Sequence, residues 1–164
     1  MDDRPLDLPA ALVLDTLTSA DIDLLVDVRK MPGSRRSPQF DADEMPTWLE
    51  GAGIGYLHLA ELGGRRPKQK DIDPTLNGGW RNAGFKNYAD YTLTPAFESG
   101  LARLTDLAAD RHVAIMCGEP MPWRCHRLLI ANTLTARGMD DRAPDDQRRS
   151  EAARIGTVGV RRLR

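Results

Sequence analysis

Apolar residues recur along the chain with two periods, and their alternation outlines a fold. Ala10, Val13, Leu14 and Leu17 fall at helical spacing, whereas Leu24-Leu25-Val26-Asp27-Val28 is a continuous run too short for a helix and predicts a buried strand. From Asp41 to Gly53, Met45, Trp48, Leu49 and Ala52 share one helical face, and Pro46 forces that helix to begin near itself. Gly55-Tyr56-Leu57-His58-Leu59 reads as the next strand. Thr94-Pro95 supplies a cap and a first-turn proline for a helix carrying Phe97, Leu101, Leu104 and Ala108, despite Gly100. His112 to Cys117 is the third strand. The last helix is expected from about Trp123 to Arg137, burying Leu128, Ile130, Ala131 and Leu134 and stopping at Gly138. Helices alternating with buried strands predict an α/β fold: three layers, with a mostly parallel, Rossmann-like open sheet of at least three strands between flanking helices.

Two stretches lack this periodicity. Glu61 to Leu93 is rich in Gly, Pro, Asn and basic residues and reads as a long functional loop, with Trp80, Phe85, Tyr88 and Tyr91 giving it aromatic surface to pack down. From Asp140 onward the chain is charged, and only Ile155 to Val160 resembles a weak strand. The expected division is one α/β domain over residues 1–138 and a charged tail over 139–164, in keeping with a 164-residue chain that has room for one core.

The 23 basic and 24 acidic residues leave a formal charge of -1, so no global positive field favours nucleic acid and anion binding has to be local. No apolar run approaches the roughly 20 residues that span a bilayer, and Met1-Asp2-Asp3 does not open a signal peptide. The expectation is a cytoplasmic protein with no membrane partner. Two cysteines there are reduced, catalytic, redox-active or metal-bound more often than permanently cross-linked.

Ligands of open parallel sheets bind at the carboxyl ends of the strands. The first strand brings Asp27, Arg29 and Lys30 to that edge, the second His58 and Glu61, the third Cys117 and Glu119. Arg35 and Arg36 follow Pro32-Gly33-Ser34, and Arg65 and Arg66 follow Gly63-Gly64. Guanidinium groups beside small residues suit phosphate or carboxylate. Cys125, expected in the first turn of the last helix beside Arg124, His126 and Arg127, would have its thiolate stabilised by the helix dipole and by cations.

The segments DVRKMPGSRRSPQF, HLAELGGRR, NAGFKNYADYT and MCGEPMPWRCHRLLIANTLTARG together resemble the successive motifs of the domain of unknown function 488 family, over about Asp21 to Gly138. The resemblance implies a compact α/β protein of bacterial type with two characteristic cysteines, matching Cys117 and Cys125, and implies no particular reaction. Such proteins usually open with a short strand, absent before Leu8 to Leu17, and continue past the last helix into another, for which Met139-Asp140-Asp141-Arg142 is a poor match. Missing strands would leave sheet edges exposed, a route to oligomers.

Bland roles compete with chemical ones. Cys117 can be a small buried apolar side chain, His58 a strand histidine bonded to backbone, the arginines ion-pair partners of Asp27, Glu61, Glu119 or Asp90, and Asp90 a helix cap. The preferred reading is a thiol-dependent enzyme, a cysteine-based transferase or hydrolase, for a small anionic or nucleotide-like substrate. Cys117 or Cys125 is its nucleophile, His126 or His58 its proton acceptor, and Glu119 an orienting or proton-transferring group. Asp27, Arg29, Arg35, Arg36, Glu61, Arg65, Arg66, Tyr88, Asp90, Arg124 and Arg127 form the binding set. No cofactor is expected. Two alternatives stand beside it: a non-enzymatic nucleotide or nucleic-acid binding module with redox-sensing cysteines, and a metal-binding protein using Cys117, Cys125, His58 and His126.

Overall fold

The computed structural model describes residues 8–33, 35–119, 124–142 and 157–162. Strands β1 (Leu24–Asp27), β2 (Gly55–His58) and β3 (Val113–Met116) pair in parallel in the order β2-β1-β3. Side chains alternate across β1 and β3. Leu24, Val26, Val113 and Ile115 point to one face, Leu25, Ala114 and Met116 to the other, and both faces are covered. Helices α1 (Leu8–Ser19) and α2 (Met45–Glu50) cover the second face through Val13, Leu17, Met45 and Leu49. The first face lies under α3 (Ala83–Tyr91), α4 (Pro95–Asp110) and α5 (Arg127–Ala136), with Tyr88, Phe97, Leu101, Leu104, Ile130 and Leu134 buried. Each large apolar side chain sealed there contributes roughly 1.5–3 kcal/mol before entropy is counted. The three-layer α/β arrangement read from periodicity is the one observed. Among the described residues, no helix is long and apolar enough to cross a membrane.

Four elements differ from expectation. Met139–Arg142 does form a strand, β4, and β5 (Thr157–Arg162) lies between it and β3, extending the sheet to β2-β1-β3-β5-β4 with antiparallel pairing on that side. Pairing supplies what the sequence of β4 lacks. A charged edge strand is tolerated because half its backbone groups face away from the sheet, and Met139 anchors it in the core at 6% exposure. Strand β5 contains the later part of the run expected from Ile155 to Val160, and Ile155 itself lies outside the described residues. The supposed loop Glu61 to Leu93 contains α3, whose first free amides, those of Gly84 and Phe85, are capped by the Asn82 side chain. Helix α5 starts at Arg127, so Cys125 precedes it; Leu129 takes the buried position expected of Leu128. The expected start at Trp123 lies outside the described residues. Gly138 ends the helix at a positive φ of 76°.

The connection from β1 to β2 runs through α2 on one face, and that from β2 to β3 through α3 and α4 on the other. The chain therefore changes direction across β1. The carboxyl ends of β1 and β3 part at such a switch point, leaving a crevice.

Candidate active site

Val28 continues β1 past its last paired residue, its amide donating to the Met116 carbonyl at 2.9 Å. Beyond this bond the two strands separate into a cleft of about 700 Å³. Cys117, Cys125, His126 and Tyr88 form part of its lining, and Arg29, Lys30, Arg65, Arg124, Glu119 and Phe85 also border it.

His126 fixes the geometry. Its Nε2 donates to the Val28 carbonyl at 2.9 Å, which leaves Nδ1 as the acceptor of the neutral ring, 3.6 Å from Cys125 Sγ and 3.9 Å from Cys117 Sγ. Tyr88 packs against the imidazole at 5.0 Å between ring centroids and donates its hydroxyl to the Leu62 carbonyl at 2.7 Å. Gly64 lies on the ring as well. A Cβ there would sit 2.7 Å from Nδ1, so the ring reaches the sulfurs only because this position has no side chain.

The two sulfurs and a His126 ring nitrogen lie within 4.8 Å of one another, and both cysteines are free. Arg127 stands behind them, 0% exposed, with Nε donating to Cys125 Sγ at 3.2 Å and Nη2 to the Glu119 carbonyl. Its Nη1 is buried without a partner among the described residues. A guanidinium removed from water needs a counter-charge, and the sulfur of Cys125 is the acceptor beside it that can carry one. The thiols accordingly split. Cys125 falls well below the ordinary thiol value because Cys117 donates a hydrogen bond to it, an effect that overcomes burial and is reinforced by Arg127 and, whenever its Nδ1 carries a proton, by His126. Cys117 rises well above that value, first through the same bond and then through burial. One proton is shared by two sulfurs. The helix dipole expected to stabilise Cys125 is replaced by these contacts, since Cys125 lies outside α5.

The other sequence candidates divide by position. Arg29, Arg65, Tyr88, Glu119 and Arg124 border the cleft with the thiols and His126. His58 does not join them: its Nε2 is 2.8 Å from the Arg29 carbonyl, as a donor to that oxygen. Asp27 is fully buried, accepting from the Arg29 backbone and side chain and, at 2.7 Å, from the Tyr56 hydroxyl. Arg66 closes the turn at Ala60–Leu62 by donating to the Ala60 and Gly63 carbonyls, and its guanidinium lies 4.0 Å over the Tyr91 ring. Asp90 accepts from Lys86 and Asn77. Arg35, Arg36 and Glu61 are exposed and lie outside the lining, and Arg127 sits behind it. Sequence reasoning left out of the binding set Lys30, Met31, Asn82, Gly84 and Phe85, all of which line the cleft. Asn82 has the side chain of a helix cap two and three residues before the amides it accepts from, and Lys30 follows Arg29 at a strand end.

The sequence profile of the domain of unknown function DUF488 matches residues 10–134, more than half of the chain. The chain belongs to this family. The matched span covers every cleft-lining residue and ends within α5, before β4 and β5. No curated protein and no solved structure matches the chain.

Proposed function

We propose that this member of the DUF488 family is a thiol-dependent enzyme acting on a small anionic, nucleotide-like substrate. The observation that carries the reading is the Cys117–Cys125–His126 cluster backed by a buried guanidinium at a cleft whose border holds Arg29, Lys30, Arg65 and Arg124. Cys117 is the more accessible sulfur and meets the substrate. Cys125 stores the negative charge beside Arg127, and His126 Nδ1, facing both sulfurs, passes the proton between them and to the leaving group. The four cations hold the anionic part of the substrate, with Phe85 offering a flat apolar face, itself stacked on Trp80 at 5.3 Å. Arg29 is already bonded to Asp27 and the Phe40 carbonyl, and Lys30 Nζ donates to the Arg65 carbonyl at 3.4 Å, so the Arg65 and Arg124 side chains are the freer grips. Two free thiols suit a reducing compartment, in keeping with a cytoplasmic site of action.

Alkylation at pH 6 with iodoacetamide, read by peptide mass, tests the reading. One of the two cysteines is expected to react roughly tenfold or more faster than free cysteine, and pyrophosphate to slow it. Rates no faster than free cysteine for both sulfurs would sink the nucleophile. A stoichiometric metal that has to be chelated before either thiol reacts would replace the reading with metal binding by the same three side chains.

A further inference from the structure

A single-nucleophile enzyme has use for one thiol and a base, yet this cleft holds a second sulfur in contact with the first. The two sulfurs lie within 4.8 Å of each other, on segments that follow β3 and precede α5. A disulfide needs about 2.05 Å, a gap that side-chain rotation narrows. The pair is also graded in depth: Cys117 is half-buried on the cleft side, while Cys125 is 3% exposed and bonded to Arg127. An outer sulfur open to substrate and a nearly buried thiolate beside it, at the back of the same cleft, are the two parts of a dithiol that resolves its own mixed disulfide.

Resting on the thiol-enzyme reading above, we propose that the substrates are small disulfides bearing carboxylate or phosphate groups, reduced as Cys117 and Cys125 close into a disulfide. Cys117 gives its proton to His126 Nδ1 and attacks one sulfur of the substrate. A bond forms between Cys117 and that sulfur, and the substrate S–S bond breaks to release the first thiolate. The Cys125 thiolate then attacks Cys117 Sγ, forming the protein disulfide and expelling the second substrate sulfur, while the proton held on His126 passes to one of the two leaving thiolates. The protein loses two electrons and one proton, and the substrate gains them as one thiol and one thiolate. The exchange follows ordinary thiolate attack through a mixed disulfide and needs no other oxidant. Size argues for this substrate over a peroxide, which would fill little of a cleft of about 700 Å³ and make no use of Lys30, Arg65 and Arg124. Glu119 also lines the cleft and sets a limit on how much negative charge enters beside it.

The test mixes the full-length, fully reduced protein with glutathione disulfide or with uncharged hydroxyethyl disulfide, and follows intact mass and released thiol. The expected product is unadducted protein with a Cys117–Cys125 disulfide and two released thiols per chain. Cys125→Ser is expected to stop as a glutathione adduct on Cys117. Relative to free cysteine, the protein is expected to favour the anionic reagent by about tenfold or more. Fast alkylation of either cysteine without formation of the internal disulfide overturns the disulfide proposal and leaves the thiol-enzyme reading standing. A stable adduct on the wild-type protein does the same, and equal preference for the two reagents overturns the anionic substrate. Slow alkylation of both cysteines removes the two readings together.

Discussion

Arg127 carries a full charge at zero exposure, and the balance of that charge decides the state of the site. Its Nε donates to Cys125 Sγ, so the neighbour that offsets it is a thiolate and only below the titration of Cys125 a neutral thiol. A coupling between pH and stability follows. The Cys125 value is depressed in the folded protein from the ordinary thiol value of 9.0, chiefly by the hydrogen bond from Cys117. Between the two values the unfolded chain binds more protons than the folded one, so the contribution to stability rises with pH, is fully present near pH 9, and is lost as acid titrates the folded group. Cys117 acts in the opposite sense above pH 9: its raised value keeps it protonated while the unfolded chain ionises, so stability falls there as pH rises. The prediction compares wild type with Cys125→Ser by urea unfolding across a pH series. The stability gap should widen from acid toward pH 9, whereas a gap that stays constant with pH would mean that Cys125 carries no charge.

At the scale of the element, α3 connects the aromatic core to the cleft. Tyr88 and Tyr91 reach down from it to the Leu62 and Glu61 carbonyls at 2.7 and 2.6 Å, while Asn82, Gly84 and Phe85 at its start line the cleft. Asn82→Ala removes the acceptor for two amides, at 2.8 and 3.2 Å, and is expected to lower stability by about 1 kcal/mol in urea unfolding. Faster hydrogen exchange at Gly84 and Phe85 would localise the loss to this helix end, and an unchanged midpoint would count against the cap. This helix was the largest omission from the sequence reading. Its apolar positions Phe85, Tyr88 and Ala89 do fall at helical spacing, but Lys86, Asn87 and Asp90 and the Gly/Asn-rich approach mask the stripe. The parallel strands were legible because each is a short apolar run buried on both faces. Strand β4 was not, because its conformation comes from pairing with a later segment of the chain, Met139 opposite Arg162 and Asp140 opposite Arg161. The same limit applies within the site. Sequence located Cys117, Cys125 and His126 together, yet the commitment of Asp27 to Arg29 and Tyr56, and of His58 to the Arg29 carbonyl, depends on contacts that only folding creates.

For the whole molecule, 23 basic and 24 acidic residues nearly cancel, so attraction of an anion has to arise within the cleft rather than from a distant field. At about 0.1 M ionic strength charges are screened beyond roughly 10 Å, a range that still joins Lys30, Arg65 and Arg124 to a ligand inside the same cleft. The arrangement discriminates by charge at close quarters without raising the overall encounter rate. Iodoacetate and iodoacetamide separate these effects, because they alkylate through the same reaction and differ chiefly in the carboxylate. Against free cysteine as reference, the protein is expected to favour iodoacetate severalfold at low salt, with the preference declining as salt is added and falling further in Arg65→Gln and Arg124→Gln. Arg65 makes a useful site for that substitution because its backbone is in the left-handed region, φ 55°, a conformation that costs a non-glycine residue about 1–2 kcal/mol. Glutamine occupies the same backbone at similar cost, so the variant isolates the loss of charge from the relief of strain. A preference for the neutral reagent that fades as salt is added would mean that Glu119 dominates the cleft, and no salt-dependent preference at all would mean that the cleft does not select by charge; either result overturns the anionic substrate.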